Sequence, residues 1–310
     1  MIPSHWDDPG GGFPKTKILL LANANAGAAQ ADAVEAARAT LAAGADVEVT
    51  RTASAEDAKR ALAGLRGRML VIAGGDGSIH LAVHTLLRED AAALAGAPIG
   101  LVPLGTGNDL ARGLGIPTDP VEAARLCLTG TPRRLDLIAT DRGEVVVNAA
   151  HAGLGAAASA RSAPLKACLG PLAYPLAAMI AGVREGAWEL EVIVDGVMAH
   201  RGRTLMVGVA NAPCVGGGTR LCPLARPDDG LLDIVVVTAV GPAARVAFGA
   251  ALRNQTHLDR EDVLHRRGRG VTIAGEPVAH VLDGELAADM SSCTYTIRPG
   301  AWNLVTCSPV

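Results

Sequence analysis

The chain has 310 residues, with 28 lysines and arginines against 31 aspartates and glutamates and a formal net charge of −3, which gives no general attraction for nucleic acid. Apolar residues make up 49% of it, enough to build cores for one large domain or, as the length favours, two. The six cysteines show no paired spacing and no histidine partners at zinc intervals, so they read as small core residues in a reducing compartment and exclude a disulfide framework.

Residues 1–14 contain Pro3, Pro9 and the run Gly10-Gly11-Gly12 without an apolar h-region, and read as a flexible lead-in, not a signal peptide. From residue 16 to about 138, short apolar strands (18–22, 47–50, 69–73 and 98–102) alternate with alanine-rich helical stretches (29–43, 55–66 and 78–88). This alternation predicts an α/β domain over 15–138, a parallel sheet with helices on its faces. The texture then changes. The alternating run Glu189-Leu190-Glu191-Val192-Ile193-Val194 and the β-rich runs 204–210 and 232–237 predict an all-β sandwich over 139–293, interrupted by one helix at about 242–257. Segments 294–298 and 303–307 read as strands. The longest apolar stretch, 169–183, is short and is broken by Pro171 and Pro175, so it does not predict a membrane span.

In a parallel sheet ligands bind at the carboxyl ends of the strands, and the unusual loops fall there. They are Asn23-Ala24-Asn25-Ala26-Gly27, Thr52, Gly74-Gly75-Asp76-Gly77-Ser78 and Pro103-Leu104-Gly105-Thr106-Gly107-Asn108-Asp109. The third lies between a strand and a helix, where free N–H groups and the positive dipole end favour an anion. A carboxylate there, Asp76, is tolerable only if a metal ion lies between it and the anion or a hydroxyl donates to it. Neither a Gly-x-x-x-x-Gly-Lys-Ser/Thr motif nor a Gly-x-Gly-x-x-Gly after the first strand is present, which excludes a P-loop and counts against an ordinary dinucleotide fold. The four lysines (Lys15, Lys17, Lys59 and Lys166) are remote in sequence from the glycine turn, so charge neutralisation falls to arginine or a divalent metal.

The turn 74–78, the run from Pro103 to Arg112 and Asp283-Gly284-Glu285 together resemble the diacylglycerol kinase catalytic family, in particular its bacterial lipid kinases. Segments 166–174, 211–218 and 228–233 extend the resemblance over almost the whole of 16–307. It implies an N-terminal nucleotide-binding α/β domain facing a C-terminal β-sandwich across a cleft, with residues 294–310 returning to the first domain. It implies ATP as co-substrate with Mg2+, and a lipid hydroxyl as acceptor, most simply that of diacylglycerol. A cytoplasmic enzyme bound peripherally at the inner face of the membrane follows, with no nucleic-acid partner; homodimers are common in such families, although no motif here demands one.

Carried over by position, the resemblance assigns ATP contacts to Asn23, Ala24, Asn25, Ala26, Gly27, Thr52, Gly74, Gly75, Gly77, Ser78, Ile79, His80, Leu81, Gly105, Thr106 and Asn108. It assigns the catalytic base to the Asp283–Glu285 turn: Glu285 takes the proton, with Asp283 positioning it or binding metal, and Asp76 is the reserve base. Asp76 is otherwise suited to a ribose or substrate hydroxyl, or to a catalytic magnesium. Asp109 reads equally as a helix cap. Asp229, with main-chain oxygens of Arg226 and Leu231, corresponds to a structural magnesium site away from the chemistry. Three features depart from the family pattern. Ala24 and Ala26 replace the usual proline and serine, His80 and Leu81 stand where Asn and Glu are usual, and any lipid groove must be aliphatic because aromatics are only 2%. Residues 216–218 read as a strand-loop turn near the acceptor cleft and the basic cluster 266–269 as a solvated loop. The alternatives are an NAD kinase-like enzyme, which shares the Gly-Gly-Asp-Gly turn, and a nucleotide- or lipid-binding protein without turnover.

Overall fold

The structure, a computed structural model, describes residues 16–24, 27–154 and 186–307. The lead-in, Asn25, Ala26, the apolar stretch 169–183 and segment 166–174 lie outside the described residues.

The N-terminal part alternates strand and helix. β1 (Lys17–Asn23), β2 (Asp46–Thr52), β3 (Met69–Gly74) and β4 (Pro98–Pro103) form a parallel sheet in the order β4-β3-β1-β2. Successive side chains of a strand point to opposite faces. Leu19 and Leu21 of β1 therefore enter one core with Leu70, Ile72 and Trp302, while Ile18, Leu20 and Ala22 enter another with Val71, Val34 and Leu41. Helices α1 (Ala28–Ala42) and α6 (Pro120–Thr129) cover the second face; α2 (Ala55–Leu62), α3 (Asp76–Glu89), α4 (Ala91–Gly96) and the short α5 (Asp109–Gly113) contribute to the first.

The remainder is largely antiparallel. β5 (Thr131–Thr140), β6 (Val145–Val146), β7 (Ala149–Gly153), β8 (Trp188–Val194), β9 (Val197–Thr204), β10 (Met206–Ala210), β11 (Leu232–Val237), β12 (Val263–Gly268), β13 (Gly270–Leu282) and β14 (Glu285–Thr306) build the sandwich, and helix α7 (Pro242–Arg253) packs Phe248 onto it. β11 is buried on both faces: Leu232, Ile234 and Val236 enter one core, Val235 and Val237 another. The long strand β14 links the two sheets. It pairs antiparallel with β13 and β5, and at Asn303 and Leu304 it runs parallel to β4.

The basic cluster departs from its expected loop. Arg266, Arg267 and Gly268 belong to β12 and pair with Ile234, Asp233 and Leu232 of β11. Their charges made the segment read as solvated, yet an edge strand tolerates charged side chains well. The helix expected over 55–66 ends at Leu62, and the one expected to reach residue 257 ends at Arg253, before a short 3-10 turn at His257–Asp259.

Candidate active site

In the sheet order β2-β1-β3-β4 the winding direction reverses between β1 and β3, and a crevice opens at such a switch point. A small concavity of about 50 Å³ lies there, lined by Asn23 at the end of β1, Ala73, Gly74 and Gly75 at the end of β3, Ser78 of α3, Gln30 and Val34 of α1, and Leu104. The glycines make it. A Cβ on Gly74 would stand 2.3 Å from the Ser78 hydroxyl oxygen, and one on Gly105 would stand 2.6 Å from the Gly75 Cα. The turns after β3 and β4 thus touch backbone to backbone.

Helices α1 and α3 open onto this edge from the N-cap glycines Gly27 and Gly75, without a side-chain cap. By contrast α2, α4 and α6 are capped by Ser54, Asp90 and Asp119. First-turn amides without a side-chain acceptor are a ready anion site. Asp76 leaves the amides of its own helix free, because its carboxylate accepts from the Asp109 (3.1 Å) and Leu110 (3.3 Å) amides at the start of α5. Asp109 in turn reaches the opposite part of the chain and accepts from Gly217 (2.9 Å) and Gly218 (2.6 Å). Burial pushes the Asp109 carboxyl up; the two glycine amides oppose this, and the charge of Asp76 adds to it. Asn108 has left-handed φ (51°) and locks its own loop, accepting from the Gly105 amide and donating to the Gly105 carbonyl.

Asp283 and Gly284 form the two-residue turn between β13 and β14, both with positive φ (48° and 92°), as a tight hairpin of matching twist requires. The Asp283 carboxylate is saturated. It accepts from the amides of Val147 (2.7 Å), Asn148 (2.8 Å) and Ala149 (3.2 Å), and its Oδ2 lies 2.9 Å from His80 Nδ1. Those four donors match the roughly four lone-pair sites of a carboxylate, so the side chain fixes the turn and offers no ready place for a proton or a metal. Glu285, the next residue but one, is exposed. It lies close enough to His80 to act on the ring through its charge. The structure therefore gathers the glycine turn, Asp76, the Asn108 loop and the Asp283–Glu285 turn around the start of α3. Thr106 is exposed there, and Thr52 is buried beside the end of β1, where its carbonyl accepts from the Ala24 amide.

Asp229 stands apart from this cluster. One of its oxygens accepts from the Leu231 amide, and the other pairs with the Arg267 guanidinium, which also reaches Asp233. No group of three or more metal-ligating side chains occurs among the described residues. As these side chains stand, an arginine already supplies the positive charge that a structural magnesium would bring to Asp229, and the residues do not fit an open cation site. Chelation with EDTA is accordingly expected to leave the melting temperature of the protein unchanged, while Arg267→Gln lowers it; thermal unfolding with and without chelator checks both.

Two further residues tie loops together without a motif to announce them. Asp136 accepts from the Gly230 and Gly300 amides at 2.7 Å each, and its main chain ties Pro227, Asn211 and Trp302 together. Its only signal was one acid in the apolar run Leu135-Asp136-Leu137-Ile138. Gln30 donates to the Leu104 carbonyl at 2.8 Å and closes the α1 side of the crevice.

Comparison with known proteins gives the family and the fold. The diacylglycerol kinase catalytic domain model matches residues 17–140, and the YegS C-terminal NAD kinase beta sandwich-like domain model matches 148–306. A relative from Pseudomonas fluorescens named probable lipid kinase YegS-like is 36% identical over 279 residues, covering 86% of this chain and 87% of its own. One of the same name from Stenotrophomonas maltophilia is 34% identical, covering 78% and 81%. Among solved structures, a diacylglycerol kinase from Bacillus anthracis superposes with a TM-score of 0.76 at 22% identity over 95% of this chain and 98% of that one. An NAD kinase from Archaeoglobus fulgidus in complex with ATP gives 0.50 at 13% identity over 94% of each, a likeness of fold alone.

Proposed function

The chain belongs to the diacylglycerol kinase catalytic family, with the YegS-like C-terminal domain, and on that premise we propose that it transfers the γ-phosphate of ATP to a lipid hydroxyl, most simply that of diacylglycerol. The observation that carries the reading is the meeting of the uncapped start of α3 with the Asp283–Glu285 turn, bridged by the 2.9 Å contact of His80 and Asp283.

Phosphoryl transfer asks chiefly for positioning and for charge stabilisation. The glycine turn supplies backbone amides that suit phosphate oxygens, with the Ser78 hydroxyl beside them. The acceptor oxygen forms the new bond to the γ-phosphorus while the bond to the bridging oxygen breaks and ADP departs. The hydroxyl proton passes to the Glu285 carboxylate, which suffices because the proton is lost late in a loose transition state. Magnesium bound with ATP would neutralise charge on the phosphates. Asp76 fits as its protein ligand, since each of its oxygens accepts one amide and keeps a second lone pair.

No helix among the described residues is long and apolar enough to cross a membrane. We infer a peripheral encounter with the lipid at the inner membrane face. The test is incubation with Mg-ATP and a total membrane lipid extract alongside NAD, read by mass spectrometry. Phosphorylated diacylglycerol with unchanged NAD is the expected outcome; a phosphorylated NAD pool, or no lipid that gains phosphate, overturns the reading.

A further inference from the structure

We propose that His80 is a positioning residue that clamps the Asp283–Glu285 turn onto the first turns of α3, an inference that rests on the lipid-kinase reading and assigns this ring a role other than ATP contact. The helix places His80 one turn after the glycine loop, and its Nδ1 lies 2.9 Å from Asp283 Oδ2 across 203 positions of sequence. The other donors to Asp283 are amides of the segment Val147–Ala149, which belongs to the sandwich side. His80 is the donor to this carboxylate that comes from the nucleotide side. It fixes the distance between the helix start, where the phosphate would lie, and the turn that carries Glu285.

The surroundings support a protonated ring. Burial works against the charge, but the hydrogen bond and charge of Asp283, with Glu144 and Glu285, outweigh it and hold the His80 pKa above its usual value. His84, one helical turn on, stacks against it with ring centroids 5.8 Å apart, and burial and the His80 charge push its pKa down. The groups facing the pair are thus Asp283, Glu285 and Glu144 from the sandwich side and Arg88 from the same helix. The two shifts run in opposite directions and favour the proton on His80 over His84.

An asparagine in this place could donate through its amide to the same carboxylate oxygen, whereas leucine fills the space without a donor. His80→Leu is expected to lower kcat by about 10–100-fold with the KM for ATP changed less than about twofold, and His80→Asn to recover most of that loss. The inference is overturned if His80→Leu keeps kcat within about twofold of wild type, if its loss falls wholly on the KM for ATP, or if His80→Asn falls as far as leucine. The parent reading fails separately, by absence of phosphoryl transfer to any lipid in the wild type. In that event the ring's nitrogen spectrum decides the clamp: Nδ1 protonated and shifted by Asp283→Asn upholds it, and an Nδ1 signal indifferent to that substitution overturns it.

Discussion

Glu285→Gln is expected to lower kcat by about 10²–10⁴-fold while the KM for ATP stays nearly constant, the mark of a lost general base. Three carboxylates stand near the start of α3, and their surroundings separate them. Asp283 has every acceptor site engaged by three amides and His80, so protonating it would dismantle the turn. Asp76 holds the first amides of α5 with both oxygens, and the proposed reading gives it the cation that accompanies ATP. Glu285 alone of the three is exposed. The substitution keeps shape and removes basicity, so a folded, ATP-binding and inactive protein is the expected result. Single-turnover transfer from labelled ATP, with nucleotide binding measured on the same sample, checks it. Activity within about tenfold of wild type, combined with an inactive Asp76→Asn, would move the base to Asp76.

The parallel sheet and its loops were legible because β1, β3 and β4 are short apolar runs, each followed by a loop of polar residues or glycines. Ile18–Ala22 and Met69–Ala73 sit within β1 and β3 as read. The long sandwich strands were harder. β14 carries Ser291-Ser292 and Pro299-Gly300 within 22 residues, and only its pairing with β13, β5 and β4 makes it continuous. Arg266 and Arg267 are exposed, as their charge signals, but they lie in strand β12 and not in a loop, and Arg267 finds its partners Asp229 and Asp233 on another strand and loop. The Asp283–Glu285 turn was recognisable, but its saturation was not, since the Val147–Ala149 amides that fill it carry no side-chain signature. His80 looked like a departure from a pattern. Its partner lies 203 positions away, beyond any local spacing rule.

Gly105→Ala is expected to disable the nucleotide side of the site. The added Cβ would stand 2.6 Å from the Gly75 Cα and 2.8 Å from the Asn108 side-chain oxygen. The first neighbour is backbone at the start of α3 and the second is locked by its bonds to Gly105 itself, so neither yields without parting the two turns. Overpacking of this kind costs about 1–3 kcal/mol of stability, and a shift near 1 Å at the phosphate cradle can cost about 10²-fold in kcat/KM for ATP. Gly77 provides the contrast. A Cβ there meets nothing within 4 Å, and the residue lies in α3, where alanine is favoured over glycine by up to about 1 kcal/mol. Gly77→Ala should therefore raise the melting temperature. If the polyphosphate lies against this backbone, the same methyl group raises the KM for ATP. A glycine that the protein's own packing does not require, yet whose loss weakens ATP binding, would mark where phosphate touches the chain. Thermal unfolding and ATP titration of the two variants side by side distinguish the cases, and unchanged ATP affinity in both would place the nucleotide elsewhere.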